Sequence, residues 1–167
     1  IEPLINEHTR AILVTNPGNP TGVVLSPEEM RLIADIAKEH GLFLISDEVY
    51  REFVYGGEPL ASMAQFDDAA ENVVVVDSIS KRFSACGARV GILVSRNREL
   101  MAQALKICQG RLCAATLDQL GAAALYGVGS DYFSAVREEY HRRRDTCMEG
   151  LSQIPGVVCE CPKGAFY

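Results

Sequence analysis

The sequence predicts an α/β protein of three layers (αβα), built on a mostly parallel β-sheet with one antiparallel strand. Three observations carry that prediction. Short, nearly continuous apolar runs recur at 11–15, 42–45, 73–76 and 90–94, as in strands buried on both faces. A helical apolar stripe separates the first two runs, which gives a βαβ unit with a right-handed crossover and parallel pairing. From residue 98 onward the pattern is helical almost to the end.

Ala11-Ile12-Leu13-Val14-Thr15 forms the first strand, and the turn-rich stretch Asn16 to Gly22 follows it. Ser26-Pro27-Glu28-Glu29 combines an N-cap, Pro at the first helical position and Glu three residues after the cap, the signature of a capping box. Met30, Ile33, Ala34 and Ala37 then repeat at helical spacing, and Gly41 ends that helix. Leu42 to Ile45, Val73 to Val76 and Val90 to Val94 are the next three strands. The link from Val76 to Val90 lacks a helical pattern and is too irregular for a standard crossover, so the fourth strand is expected to run antiparallel. Helices follow over 98–109, 116–127 and 130–151, and Val157-Val158-Cys159, after the Pro155-Gly156 turn, is a candidate last strand. No internal repeat or low-complexity linker divides the chain.

Composition narrows the class. With 167 residues, 48% hydrophobic and 23% charged, the chain has apolar content enough for a core. Its 16 Lys and Arg against 22 Asp and Glu leave a formal charge of −6, which argues against nucleic acid or an anionic membrane surface as a partner. No apolar run approaches the roughly 20 residues of a membrane span. The six cysteines sit in apolar or helical contexts, and Cys159-x-Cys161 lacks the second pair or nearby His of a zinc site. Reduced thiols in a cytoplasmic protein, with no metal, are expected.

Ligands of a parallel α/β sheet bind beyond the carboxyl ends of its strands. There the sequence places Asn16-Pro17-Gly18-Asn19-Pro20-Thr21-Gly22, Ser46-Asp47-Glu48-Val49-Tyr50, and Asp77-Ser78-Ile79-Ser80-Lys81 followed by Arg82 to Arg89. Taken singly, such segments read as turns, an N-cap with solvated acids, or exposed loop charges. Glu48 and Arg82 are expected to be solvated or salt-bridged, Arg142-Arg143-Arg144 a solvated helix face, and Met101, Tyr126, Phe133 and Tyr140 core or interface packing. A dinucleotide site is disfavoured, because no Gly-x-Gly-x-x-Gly joins the first strand to its helix.

Together, in this order and spacing, the motifs resemble the class I/II aminotransferases of the fold-type I pyridoxal 5'-phosphate (PLP) enzymes, in their aspartate aminotransferase-like branch. The matching residues are Asn16-Pro17-x-Asn19-Pro20-Thr21-Gly22, Ser46-Asp47-Glu48-x-Tyr50, Ser78-x-Ser80-Lys81, Gly87-x-Arg89-x-Gly91 and Pro162-x-Gly164-Ala165-Phe166-Tyr167. The resemblance implies that Lys81 forms the Schiff base with PLP and shuttles the substrate proton. It implies Asp47 on the pyridinium nitrogen, Tyr50 and Asn19 on the 3'-oxygen, and Ser78 and Arg89 on the phosphate. The implied catalytic residues are Lys81, Asp47 and Tyr50, and the implied reaction moves an amino group from an amino acid, aspartate first, to a 2-oxo acid.

The same resemblance implies that 1–167 is a single segment, the central and C-terminal part of the PLP-binding large domain. About 156–167 would lead toward a small domain outside it. The early strands with their phosphate cup, the aromatic that stacks on the cofactor and the Arg that grips the substrate carboxylate are then missing, so the segment alone is expected to be inactive. A homodimer is expected of the parent enzyme. Two alternatives stay open at this point: β-elimination or decarboxylation on the same fold, and a non-catalytic sensor domain.

Overall fold

A computed structural model of the chain describes residues 1–56 and 60–167. Four strands form one sheet in sequence order: β1 (Ala11–Thr15), β2 (Phe43–Asp47), β3 (Val73–Ser78) and β4 (Gly91–Ser95). β1, β2 and β3 are parallel, with Thr15 opposite Asp47 and Asp47 opposite Val76. β4 is antiparallel to β3, with Ser78 opposite Gly91. The turn back through residues 79–90 leaves no length for a crossover, so the direction reverses as the sequence implies.

Between β1 and β2 runs α1 (Pro27–Glu39), opened by the expected capping box: Ser26 Oγ accepts from the Glu29 amide, and the Glu29 carboxylate accepts from the Ser26 amide. Such a cap contributes about 1 kcal/mol. Met30, Ile33, Ala34 and Ala37 bury one stripe against Ile12, Val14, Leu44, Val73 and Val75. Strand alternation sends Ala11, Phe43, Ile45, Val74 and Leu93 to the opposite face. There α3 (Arg98–Arg111) lies across them, leaving a cleft of about 590 Å³.

The helices α4 (Thr116–Leu125) and α5 (Ser130–Ser152) follow. Tyr132, Phe133 and Ala122 pack on Ile79 and Phe83, while Val136 and Tyr140 pack on Tyr50 and Phe53.

Several expectations change. β2 runs on through Ser46 and Asp47, which stay in the ladder opposite Val75 and Val76. β1 and β4 are edge strands here, and Leu13 is 66% exposed where burial on both faces was expected. Val157–Cys159 forms no strand, and Val158 is 93% exposed, contrary to the expected last strand. A short helix, α2 (Ile79–Arg82), occupies the link after β3 that showed no helical pattern. Met101, Phe133 and Tyr140 are half-buried, whereas Tyr126 is 52% exposed despite its ring contact with Phe83. All six cysteines are free and exposed. Among the described residues no helix is long and apolar enough to cross a membrane.

Candidate active site

Three parallel strands end on one rim, and the antiparallel β4 begins on it, so the segments after β1, β2 and β3 and before β4 converge. The turn after β1 is held by the Asn16 amide donating to the Asp47 carbonyl, and by Asn16 Oδ1 accepting from the Leu25 amide at 3.0 Å. Asn16, Pro17 and Gly18 are buried, and Asn19 projects from them. Gly22 has φ +64°, and a Cβ there would lie 2.3 Å from Pro162 Cβ. Only glycine fits that φ and that approach, and the Gly22 carbonyl accepts from both the Lys163 and Gly164 amides.

That contact brings the end of the chain onto the rim. The Ala165 amide donates to the Phe53 carbonyl, Tyr55 Oη donates to the Ala165 carbonyl, and Val54 bridges Gly164. Phe166 then lies edge-on to Tyr50 and Phe53 and stacked on Tyr140. Aromatic pairs of this kind are worth about 0.5–1.5 kcal/mol each beyond the area they bury.

Tyr50 is the centre of the site. Its hydroxyl lies 2.7 Å from the Tyr167 hydroxyl and 3.5 Å from Asn19 Nδ2, which donates to it. Burial pushes the Tyr50 phenol well above its ordinary range, helped by Tyr167 and by the charge of Asp47, and opposed by Asn19. The phenol is therefore a neutral donor at neutral pH. Lys81 Nζ stands 5.7 Å from the Tyr50 ring centroid and 5.5 Å from that of Phe166, within cation–π range of both. Among the described residues it enters no ion pair and no hydrogen bond. Asp47, half-buried at the end of β2, accepts from the Val49 amide at 3.2 Å.

Of the six residues singled out in the sequence, Asn19 and Lys81 each meet Tyr50, and the charge of Asp47 acts on it. Ser78 and Arg89 reach the same rim by register, since Ser78 pairs with Gly91, but neither touches the others. Ser78 Oγ accepts from the Ser80 amide to cap α2, and exposed Arg89, with φ +57°, donates to the Cys86 carbonyl.

Glu48 and Arg82 are both salt-bridged, one of the two states expected of them, whereas Arg144 departs from its reading. Glu48 is 1% exposed, not solvated: Oε1 accepts from Ser46, Ser62 and the Met63 amide, while Oε2 lies 3.6 Å from Arg51. Arg82 is salt-bridged, to Asp77 and Glu52. Arg142 and Arg143 are exposed on Glu139, yet Arg144 turns inward, 5.0 Å above the Tyr55 ring, and donates to the Pro162 carbonyl. Tyr167 and Phe166 were read only as part of a terminal motif. Their contact with Tyr50 spans most of the chain, and no local spacing encodes it.

The description of the family "Aminotransferase class I and II" matches residues 1–167, the whole chain. The chain belongs to that family. Pyridoxal 5'-phosphate is the cofactor of these aminotransferases. The probable aspartate/prephenate aminotransferase of Aquifex aeolicus is 37% identical over 170 residues, covering 100% of this chain and 43% of the relative. The aspartate aminotransferase of Bacillus subtilis is 34% identical, covering 98% and 42%. Among solved structures, the aromatic aminotransferase from Pyrococcus horikoshii superposes with a TM-score of 0.90 at 31% identity, over 98% of this chain and 44% of that one. A double mutant of the Thermus thermophilus aspartate aminotransferase gives 0.87 at 32%, over 98% and 43%. The four-stranded mixed sheet is therefore part of the large domain of the fold-type I aminotransferases, and the chain spans less than half the length of these relatives.

The donor set fits the cofactor. An amine with no competing partner among the described residues, a carboxylate, a neutral phenol, a carboxamide, a hydroxyl and a guanidinium share one rim, and these groups suit an aromatic aldehyde with a basic ring nitrogen and a phosphate.

Proposed function

We propose that the full-length protein is a PLP-dependent aminotransferase that moves the amino group of aspartate or a similar amino acid to a 2-oxo acid. The observation that carries this reading is Lys81 Nζ, unpaired among the described residues and flanked by the rings of Tyr50 and Phe166. A surface lysine has solvent or an acid beside it. This one, half-buried, lies beside two aromatic rings and, among the described residues, beside no acid partner.

The bound cofactor supplies an electron-accepting ring that stabilises negative charge at the substrate Cα. The chain's residues would hold and serve it. Lys81 would carry it and would take up and return the proton of the substrate Cα. Asp47 would accept the hydrogen bond of the ring nitrogen and so favour its protonated, electron-poor form. Tyr50, a neutral donor, and Asn19 would hydrogen-bond the 3'-oxygen. Ser78 and Arg89 would bind the phosphate, Arg89 with the planar fork of its guanidinium.

Residues 1–167 would be the central and C-terminal part of the PLP-binding large domain, with about 156–167 leading to a small domain. Exposed Leu117, Leu120 and Val158 are then covered by the remaining chain or by the second subunit of a homodimer. Six exposed free thiols favour the reducing cytoplasm.

The names of the relatives favour aspartate. Incubating the full-length protein with PLP, aspartate and 2-oxoglutarate is expected to yield glutamate. Pyruvate and ammonia from a sulfur amino acid, with no glutamate, would overturn amino transfer.

A further inference from the structure

Lys81 rides on a helix too short to support itself. α2 has four residues, and an isolated turn of that length is unstable in water. The Phe83 amide reaches back to the Ile79 carbonyl and the Ser84 amide to that of Lys81, and Ser78 Oγ caps the turn. Its direction, and with it the aim of Lys81, must be set from outside.

The neighbouring side chain provides that hold. Arg82 Nη2 donates to Asp77 Oδ2 at 2.8 Å, and Arg82 Nε lies 3.3 Å from Glu52 Oε1. The Nε contact is an ion pair without hydrogen-bond alignment, since Nε makes no hydrogen bond among the described residues. Tyr126 covers the guanidinium 5.9 Å away, and the side chain is 11% exposed. Asp77 belongs to β3, and Glu52 lies two residues beyond Tyr50. One guanidinium thus joins the strand, the Lys81 helix and the Tyr50 turn. Residues 81 and 82 point about 100° apart on a helix, so clamping Arg82 sideways aims Lys81 at the Tyr50 and Phe166 rings.

We propose that Arg82 is a positioning residue, bridging Asp77 and Glu52 to fix Lys81 Nζ against Tyr50. The inference rests on the reading of Lys81 as the cofactor amine. A lysine at 82 has one charged point in place of a rigid fork and does not hold both carboxylates.

The test uses the full-length protein with PLP and two variants, Arg82→Lys, which keeps a cation beside buried Asp77, and Glu52→Gln, which leaves the Asp77 pair intact. For each, urea unfolding, PLP affinity and the pH midpoint of the bound cofactor's visible absorbance are measured. Both variants are expected to fold, to bind PLP more weakly (about tenfold for Arg82→Lys, less for Glu52→Gln), and to shift the absorbance midpoint. A purely structural ion pair changes unfolding alone. Unchanged affinity and an unchanged midpoint in both variants would overturn the proposal while the site reading stands. If the unaltered protein takes up no PLP at Lys81, the site reading fails and the proposal with it. Should Arg82→Lys fail to fold, Glu52→Gln decides alone.

Discussion

The phenolic oxygens of Tyr50 and Tyr167, 117 residues apart in the chain, lie 2.7 Å from each other. The turn after β2 and the end of the chain therefore act on one point. Phenylalanine at either position keeps the ring packing and removes half of the pair. Tyr50→Phe and Tyr167→Phe are each expected to weaken PLP binding by titration, and the double variant to fall short of their sum by about 1 kcal/mol. Additive losses would mean that the two hydroxyls do not work together.

On the proposed reading, Asp47 would tune the cofactor rather than anchor it. Asp47→Ala should leave measurable PLP binding, because Lys81, Ser78 and Arg89 remain, while turnover with aspartate and 2-oxoglutarate falls about 100-fold or more. Rates comparable to the unaltered enzyme would reject that role.

Close backbone packing at Gly164 holds the chain end in place. A Cβ there would meet Val24 Cγ2 at 2.6 Å, Pro17 Cβ at 2.8 Å and the Phe53 carbonyl at 2.9 Å. Gly164→Ala is expected to lower unfolding free energy by about 1–3 kcal/mol and to loosen the Tyr167 contact. Gly110→Ala, in α3 with open space around it, should be neutral or stabilising. Equal urea midpoints for the two variants would contradict this packing.

Tyr55 makes the pH response asymmetric. Burial pushes its phenol up to about 12, against the pull of Arg144, while its hydroxyl donates to the Ala165 carbonyl. The folded protein thus holds this proton more tightly than the unfolded chain, where the value is about 10. The contribution is complete below that unfolded value and is lost as pH rises through about 12. Relative to Tyr55→Phe, stability should fall more steeply above pH ~10. Parallel stability curves would contradict the buried-phenol account.

Local physics made much of the fold legible. The Ser26 capping box, the α1 stripe and the antiparallel return of β4 all follow from residues a few positions apart. Asn19, Tyr50 and Lys81 stand out through the motifs that resemble the family, and the strand ends place those motifs on one rim. What escaped depended on tertiary surroundings. Glu48 resembles a solvated acid until the amide of Met63 and two serines close over it, and Arg144 differs from its two exposed neighbours only by facing Tyr55 and Pro162. Val157–Cys159 has strand-forming residues but pairs with no strand among the described residues. The short α2 helix is specified by what grips Arg82, Ile79 and Phe83, not by its own four residues.

The central claim is that Lys81 is the amine that carries the cofactor. The full-length protein is mixed with PLP, reduced with borohydride, digested and mapped by mass spectrometry. The account predicts one dominant phosphopyridoxyl modification, on the peptide that contains Lys81, and its loss in Lys81→Ala. An unmodified Lys81, or a dominant modification on any other lysine, would contradict it.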